Sequence, residues 1–231
     1  MNKILIFTAT YNEVSNIDIL LDRINSYCQN VDILVVDDNS SDGTINVLKK
    51  FEKECKNINL IIREKKLGLN TAHKIGYNYA IKNNYDYFIT LDADLSHDPA
   101  VIPDFINLLK SNSFVIGSRY AKGGKCELPI ARLLLSVLGN KFIKLFSRIN
   151  CSEFTTSFRG FNLRKIKYFD MNLVKSNGYS FFMETIFLVS KFNFIVEIPI
   201  HFKNRTSGKS KIPKIEIIRT LINLFRLRLL N

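Results

Sequence analysis

Tyr85-Asp86-Tyr87-Phe88-Ile89-Thr90-Leu91-Asp92-Ala93-Asp94-Leu95-Ser96-His97-Asp98-Pro99 is the stretch on which the reading of this chain turns. Its first seven residues form an apolar, strand-like run. Where the backbone leaves that strand, two carboxylates one residue apart can turn the same way and share one hard divalent cation, Mg2+ or Mn2+. Asp98-Pro99 also opens a helix in the ordinary manner, so an acidic loop ahead of a helix cap explains the same residues. Taken alone, a D-x-D triplet favours that plainer explanation. Its surroundings decide otherwise.

Strand-like segments at about 3–9, 31–36, 58–63, 86–91 and 113–117 alternate with helical patterns at about 14–28, 44–56, 70–84 and 99–110. This βαβα rhythm predicts an α/β fold with a doubly wound, mostly parallel sheet flanked by helices. Ligands of such sheets sit beyond the carboxyl ends of the strands. Three polar loops fall there: Thr10-Tyr11-Asn12-Glu13, Asp37-Asp38-Asn39-Ser40-Ser41-Asp42-Gly43 and Asp92-Ala93-Asp94. None is the glycine-rich loop of dinucleotide-binding or P-loop proteins, so backbone amides are not the main phosphate cradle. An acidic rim repels a diphosphate unless a cation stands between them, so a nucleoside diphosphate here implies a metal.

At 231 residues, 46% hydrophobic and 23% charged, the chain has the size of one large domain or one and a half, with a sizeable core. Met1-Asn2-Lys3 runs straight into Ile4-Leu5-Ile6-Phe7, which reads as a cytosolic start without a signal peptide. Cys28, Cys55, Cys126 and Cys151 are widely spaced and read as free thiols. Charge divides the chain: residues 1–118 carry 12 Lys/Arg against 15 Asp/Glu, a net −3, and residues 119–231 carry 21 against 6, a net +15. The second half is therefore expected to meet something anionic. Nucleic acid is disfavoured, because no recognised nucleic-acid-binding signature is present and the basic residues are interleaved with long aliphatic runs. A membrane surface suits that interleaving. No stretch reaches the roughly 18 uninterrupted apolar residues of a spanning helix, so the chain is expected to lie on a bilayer.

Pro129 to Ile149 reads as a helix in which Arg132, Ser136, Asn140, Lys144 and Arg148 recur every four residues, placing them on one stripe. A helix at Tyr179 to Phe192, a strand at Phe194 to Phe202, a polar loop at Asn204 to Lys211 and an apolar, arginine-bearing segment at Ile215 to Leu230 complete the pattern.

In this order the motifs resemble those of the family 2 glycosyltransferases, and within them the polyprenol-phosphate (dolichol-phosphate) mannosyltransferases. The resemblance rests on the three rim motifs with Lys66-Leu67-Gly68-Leu69, Leu91 through Pro99, and Gly117-Ser118-Arg119-Tyr120 with Gly123-Gly124. It continues through Phe158-Arg159, Gly178-Tyr179-Ser180-Phe181, Met183-Glu184, Glu197-Ile198-Pro199-Ile200, and Arg205 with Gly208-Lys209-Ser210-Lys211. It implies a GT-A (Rossmann-like) fold over the whole of 1–231, with residues 1–118 holding the nucleotide and residues 119–231 the acceptor and the membrane interface. It also implies a nucleotide-sugar donor, Mg2+ or Mn2+, and a polyprenol phosphate acceptor. By position, Thr10, Tyr11, Glu13, Asp37, Asp38 and Asp92 would bind the donor nucleotide. Asp92, Asp94 and Ser96 would surround the metal. Arg119, Arg132, Ser136, Arg205 and Lys211 would bind phosphates, with Asp94, Arg119 and Arg205 at the catalytic centre. Basic amphipathic helices near the C-terminus would rest at the cytoplasmic face of a membrane, directly or through a small membrane-anchoring partner.

Two departures stand out. Glu153-Phe154-Thr155-Thr156-Ser157 replaces a pattern that usually runs aspartate, proline, threonine and small residues. Asn70 occupies a position where glycine is usual, and is expected to preserve the turn because asparagine tolerates a left-handed backbone. A phosphate acceptor with a second pKa of about 6 is ionised at neutral pH, so the resemblance implies transfer with inversion and little need of a strong base. His97 reads first as a loop-shaping residue, and His73 and His201 have weaker claims as a base. Transfer from UDP-glucose, UDP-N-acetylglucosamine or a modified sugar fits the same motifs. A non-catalytic GT-A-like binding subunit would have no need to keep Asp92, Asp94, Arg119 and Arg205 together.

Overall fold

The structure, a computed structural model, describes residues 2–203 and 215–229, with side chains left out at 215–218 and 228–229. Strand β1 (Ile4–Thr10) is followed by helix α1 (Ile17–Tyr27), β2 (Asp32–Asp37), α2 (Thr44–Glu54), β3 (Ile58–Ile62), α3 (Leu69–Lys82) and β4 (Tyr87–Thr90). A single 3-10 turn (Pro99–Val101) then enters α4 (Ile102–Leu109), which leads to β5 (Phe114–Ser118). Beyond these lie β6 (Lys125–Cys126), α5 (Ile130–Ser147), β7 (Arg159–Asn162), α6 (Tyr179–Ser190), β8 (Val196–Pro199), β9 (His201–Phe202) and α7 (Ile215–Leu229).

The inner strands are apolar on both faces because helices cover both sides of the sheet. Strand periodicity sends Leu5, Phe7, Leu34, Val36 and Phe88 into one core, and Ile4, Ile6, Ile33, Val35 and Ile89 into the other. Seven strands form the sheet in the order β3-β2-β1-β4-β7-β5-β8. Neighbours run parallel except β7, which pairs antiparallel with both β4 and β5. The sequence rhythm does not reveal β7: its Arg159-Gly160-Phe161-Asn162 is short, carries two polar side chains and shows no apolar alternation. The single strand expected at Phe194 to Phe202 is two. Pro199, which has no N–H to give a ladder, closes β8, and β9 pairs instead with β6 in a separate two-stranded ladder.

Local chemistry places the loops at the carboxyl edge. Asn12 and Asn39 adopt left-handed backbone just after β1 and β2, where asparagine is well tolerated, and Gly43 and Gly68 do so at the N-caps of α2 and α3. Asn70 lies inside α3 without a positive φ, so the tolerance expected of it is not what keeps the turn. Its side chain instead donates to Asn177 Oδ1 at 2.8 Å, tying α3 to the segment before α6. Arg205 and Gly208-Lys209-Ser210-Lys211 lie outside the described residues.

Gly76 sets how closely α3 approaches the sheet, since a methyl group there would overlap the Phe7 ring of β1. Gly76→Ala is expected to destabilise the protein by about 1–3 kcal/mol, the usual cost of overpacking a core. A thermal melt with no fall in midpoint would show that α3 stands off β1.

Candidate active site

A cleft of about 460 Å3 opens at the carboxyl edge of β1, β2 and β4. All three acidic loops reach it, with Thr10, Tyr11, Glu13, Asp38, Asp92 and Asp94 in its lining. Asp37, grouped with these by sequence, lies beneath the surface: it is fully buried, and Thr10 Oγ1 and Ser40 Oγ each donate to Oδ2 at 2.6 Å. Asp38 is paired with the guanidinium of Arg63 and accepts from Gly68 N–H at 3.2 Å, so this carboxylate is both neutralised and fixed. Lys66 lies over the Tyr11 ring, 3.8 Å from its centroid. Lys66, Asp42, Thr155, Ser157, Tyr179 and Phe182 also line the cleft, although sequence reasoning assigned them no role. Lys66 and Tyr179 are signalled by the glycines near them, Gly68 and Gly178. Thr155 and Ser157 belong to the stretch that departs from the family pattern, and the strand that follows it, hidden in the sequence, brings them to the cleft.

The metal hypothesis depends on the turn after Asp94. Leu95 has φ 61, a backbone state unusual for a branched apolar residue, and it reverses the chain so that Ser96 N–H donates to Asp94 Oδ1 at 3.1 Å. Ser96 Oγ is buried without a hydrogen-bond partner among the described residues. Asp92, Asp94 and this hydroxyl would together offer only oxygen donors, which suits a hard cation, although Ser96 is not among the residues lining the cleft. No group of three or more Asp, Glu, His or Cys able to hold a metal occurs among the described residues. This composition fits Mg2+ or Mn2+, which are commonly held by one or two carboxylates with the remaining positions left to water and substrate phosphates.

Of the phosphate-binding candidates, Arg119, Arg132 and Ser136 fall among the described residues. Arg119 is held by the fully buried Glu153: its N–H donates to Oε2 at 2.8 Å, Nε donates to Oε1 at 2.8 Å, and a terminal nitrogen completes a close ion pair. Burial alone would lower the Arg119 pKa, but Glu153 outweighs it and holds the guanidinium firmly charged. Ser136 accepts a hydrogen bond from Tyr120 Oη at 2.7 Å, which fastens α5 to the Arg119 loop. Arg132, one turn earlier on α5, is exposed. The expected polar stripe is thus divided: Ser136 and Asn140 turn inward, with Asn140 Oδ1 accepting from Phe154 N–H at 2.8 Å, while Arg132, Lys144 and Arg148 face out. Behind the cleft, the buried Arg159 donates to the carbonyls of Thr156, Phe154 and Phe182. Burial lowers its pKa to about 9, and its three hydrogen bonds lock two cleft walls together.

The histidines are placed as structural residues. His97 is buried between Phe158 and Phe202, and its Nδ1 accepts from Asp92 N–H at 3.3 Å. Burial lowers its pKa, against the opposing pull of Asp92 and Asp94. His201 pairs with Glu127 on the exposed β6–β9 ladder. His73 is enclosed by Phe7, Phe181 and Phe182, and burial pushes its pKa down to about 3.

Residues 5–169 match the family described as Glycosyl transferase family 2. The fold and cleft are those of a GT-A glycosyltransferase, and the chain belongs to this family of enzymes. It is 29% identical to an undecaprenyl-phosphate mannosyltransferase of Micrococcus luteus, over 97% of this chain and 93% of that protein. It is 34% identical to a dolichol-phosphate mannosyltransferase of Pyrococcus furiosus, over 97% of this chain and 63% of that protein. Its fold superimposes, with a TM-score of 0.58, on a mannosyltransferase of Pyrobaculum calidifontis solved with GDP-Man and Mn2+, at 16% identity over 99% of this chain and 64% of that one.

Buried neutral histidine predicts a pH dependence of stability. Between about pH 6.5 and pH 3 the unfolded chain protonates His73 while the folded chain does not. The unfolding free energy should therefore be full above pH 6.5 and fall on acidification, by up to about 1.4 kcal/mol per pH unit from this group. Denaturant titrations of His73→Phe should show a shallower acid limb; an unchanged slope would place the proton uptake elsewhere.

Proposed function

We propose that the protein transfers mannose from GDP-mannose to a polyprenol phosphate at a membrane surface, with inversion at the anomeric carbon. The observation that carries this reading is the convergence of Glu13, Asp38, Asp92 and Asp94 on one cleft in a chain whose relatives are named polyprenol-phosphate mannosyltransferases. Thr10, Tyr11, Glu13 and Asp38, which line the cleft, would receive the nucleoside, and the hydrogen bond of Thr10 to Asp37 supports that reading. Asp92, Asp94 and Ser96 would hold Mg2+ or Mn2+, which when bound supplies charge stabilisation to the departing diphosphate. The acceptor phosphate is itself an ionised nucleophile at neutral pH, so the protein's work is alignment and charge compensation. That division of labour is consistent with His97, which is buried outside the cleft lining and already accepts a backbone hydrogen bond. Arg119, Arg132, Ser136, Arg205 and Lys211 are the proposed phosphate contacts, the last two outside the described residues.

A lipid acceptor requires an apolar approach, and α5 supplies one. Ile130, Leu134, Leu135, Leu138, Phe142 and Leu145 are exposed, Leu138 at 62% and Leu145 at 79%. Beside them, Phe225 of α7 meets Phe146 edge-on at 4.9 Å, and Leu221, Ile222 and Phe225 extend the exposed apolar surface. Arg132, Lys141 and Lys144 of α5 and Arg148 at its C-cap are exposed as well, a combination suited to anionic headgroups. No helix of the described residues is long and apolar enough to cross a membrane.

In a donor screen with a short polyprenol phosphate and Mn2+, label from GDP-mannose should enter the lipid phase. Label entering only from a UDP-sugar would replace the donor assignment. Asp94→Ala should stay folded and lose about 10²-fold or more of its transfer rate; full activity in excess chelator would remove the metal from the scheme. Leu138→Lys with Leu145→Lys should weaken co-sedimentation with anionic liposomes several-fold, by removing apolar area from the interface. Undiminished binding would point to another docking face.

A further inference from the structure

The Arg119–Glu153 pair has a property that the phosphate-binding reading of Arg119 does not by itself account for. Glu153 turns both carboxylate oxygens toward Arg119: Oε1 and Oε2 each accept from Nε, at 2.8 and 3.0 Å, and Oε2 accepts from the Arg119 backbone N–H, while Thr155 Oγ1 also donates to Oε1 at 3.5 Å. One terminal nitrogen, Nη2, bonds Glu153 and reaches Thr155 Oγ1 at 3.3 Å. The other, Nη1, has no hydrogen-bond partner among the described residues. The guanidinium also lies near the Phe202 and Tyr120 rings, 4.9 and 5.2 Å from their centroids. Its Nε–Nη2 edge and its surroundings are therefore fixed.

The carboxylate is itself anchored. Cys151 Sγ donates to the Glu153 carbonyl at 3.0 Å. The neighbouring Ser152 donates through its N–H and Oγ to Glu197, and its Oγ lies 2.7 Å from Ser118 Oγ, one residue before Arg119. Both partners of the pair are thus tied into the same small network, at the carboxyl end of β5. Glu153 is fully buried, so no substrate group can reach it while the fold is intact.

We infer that Glu153 is a positioning residue that presents Nη1 of Arg119 to a substrate phosphate and, by lying against the same guanidinium, holds down the strength of that contact. The inference rests on the phosphate-binding reading of Arg119, and leaves open by chemistry alone whether the phosphate belongs to the donor diphosphate or to the acceptor monoester. A fully charged, unpaired arginine would grip phosphate equally before and after transfer, and such uniform binding slows turnover by holding product. A carboxylate at bidentate distance fixes orientation and offsets that charge together.

Glu153→Gln separates the two effects, since it keeps the volume but removes the charge. It is expected to lower KM for one phosphate substrate at least threefold and to lower kcat, while Arg119→Met abolishes that KM response in the double variant. Varying GDP-mannose and a short polyprenol phosphate in turn identifies which phosphate is involved. Glu153→Asp, which keeps the charge but shortens the reach, should lower kcat without tightening KM. A purely structural role would shift only the thermal midpoint, and unchanged KM values in a folded Glu153→Gln protein would overturn the inference, as would the same change in the Arg119→Met background. Should the wild type transfer no sugar, the proposed function fails separately. The pair is then tested by calorimetric binding of inorganic pyrophosphate with Mn2+ and of a short alkyl phosphate: tighter binding by Glu153→Gln sustains it, and no difference or no binding to either protein overturns it.

Discussion

Mutual repulsion among carboxylates gathered on one edge of a sheet is the constraint to which the rest of this molecule answers. Each acid is compensated in its own way. Asp37 is sunk beneath the edge and satisfied by two hydroxyls, Asp38 is neutralised by Arg63, and Glu153 is matched to Arg119. Asp92 and Asp94 stay at the cleft, on a turn that requires an uncommon backbone state at Leu95. Asp37, Asp38 and Glu153, held by hydroxyl or guanidinium partners, give the edge its shape, while Asp92 and Asp94 line the open cleft.

The second half of the chain inverts an ordinary rule. A surface helix normally turns its apolar face inward, yet α5 sends Ser136 and Asn140 toward the protein and a row of leucines outward. The inward polar groups are satisfied by Tyr120 and by the backbone of Phe154, so their burial carries little penalty. An exposed apolar row of this extent has no such compensation in water, and bilayer contact would supply it.

Much of this was legible in the residues. Alternating apolar strands and amphipathic helices announce a parallel sheet, and the acids at the strand ends announce its working edge. The arrival of the D-x-D pair and of Asp38 at one cleft follows from motif and strand order, whereas spacing put Ser136 on one stripe with Arg132, which the fold divides. What stayed hidden shares one cause, namely partners distant along the chain. β7 is written as a strand only by what lies on either side of it, because its four residues carry no periodic signal. Thr155 and Ser157 reach the cleft because of where β7 lies. The role of Asn70 depends on Asn177, and Glu153, which looked like a displaced carboxylate, makes sense only beside Arg119. Charge counting could not show which arginines would be neutralised from within, as Arg119 is by Glu153.

The placement of β7 also settles how the two charge halves are joined. A strand from the basic half lies between β4 and β5, both from the acidic half. The sign change near residue 118 is therefore no seam along which the molecule could be divided. A fragment ending there would leave β4 and β5 with facing edges that no longer meet, each offering unpaired backbone to any passing chain. During synthesis the first half must wait, with those edges open, until Arg159 to Asn162 have emerged, so the interval most prone to misassociation comes after the acids that line the cleft have been made and before the strand that closes the sheet exists.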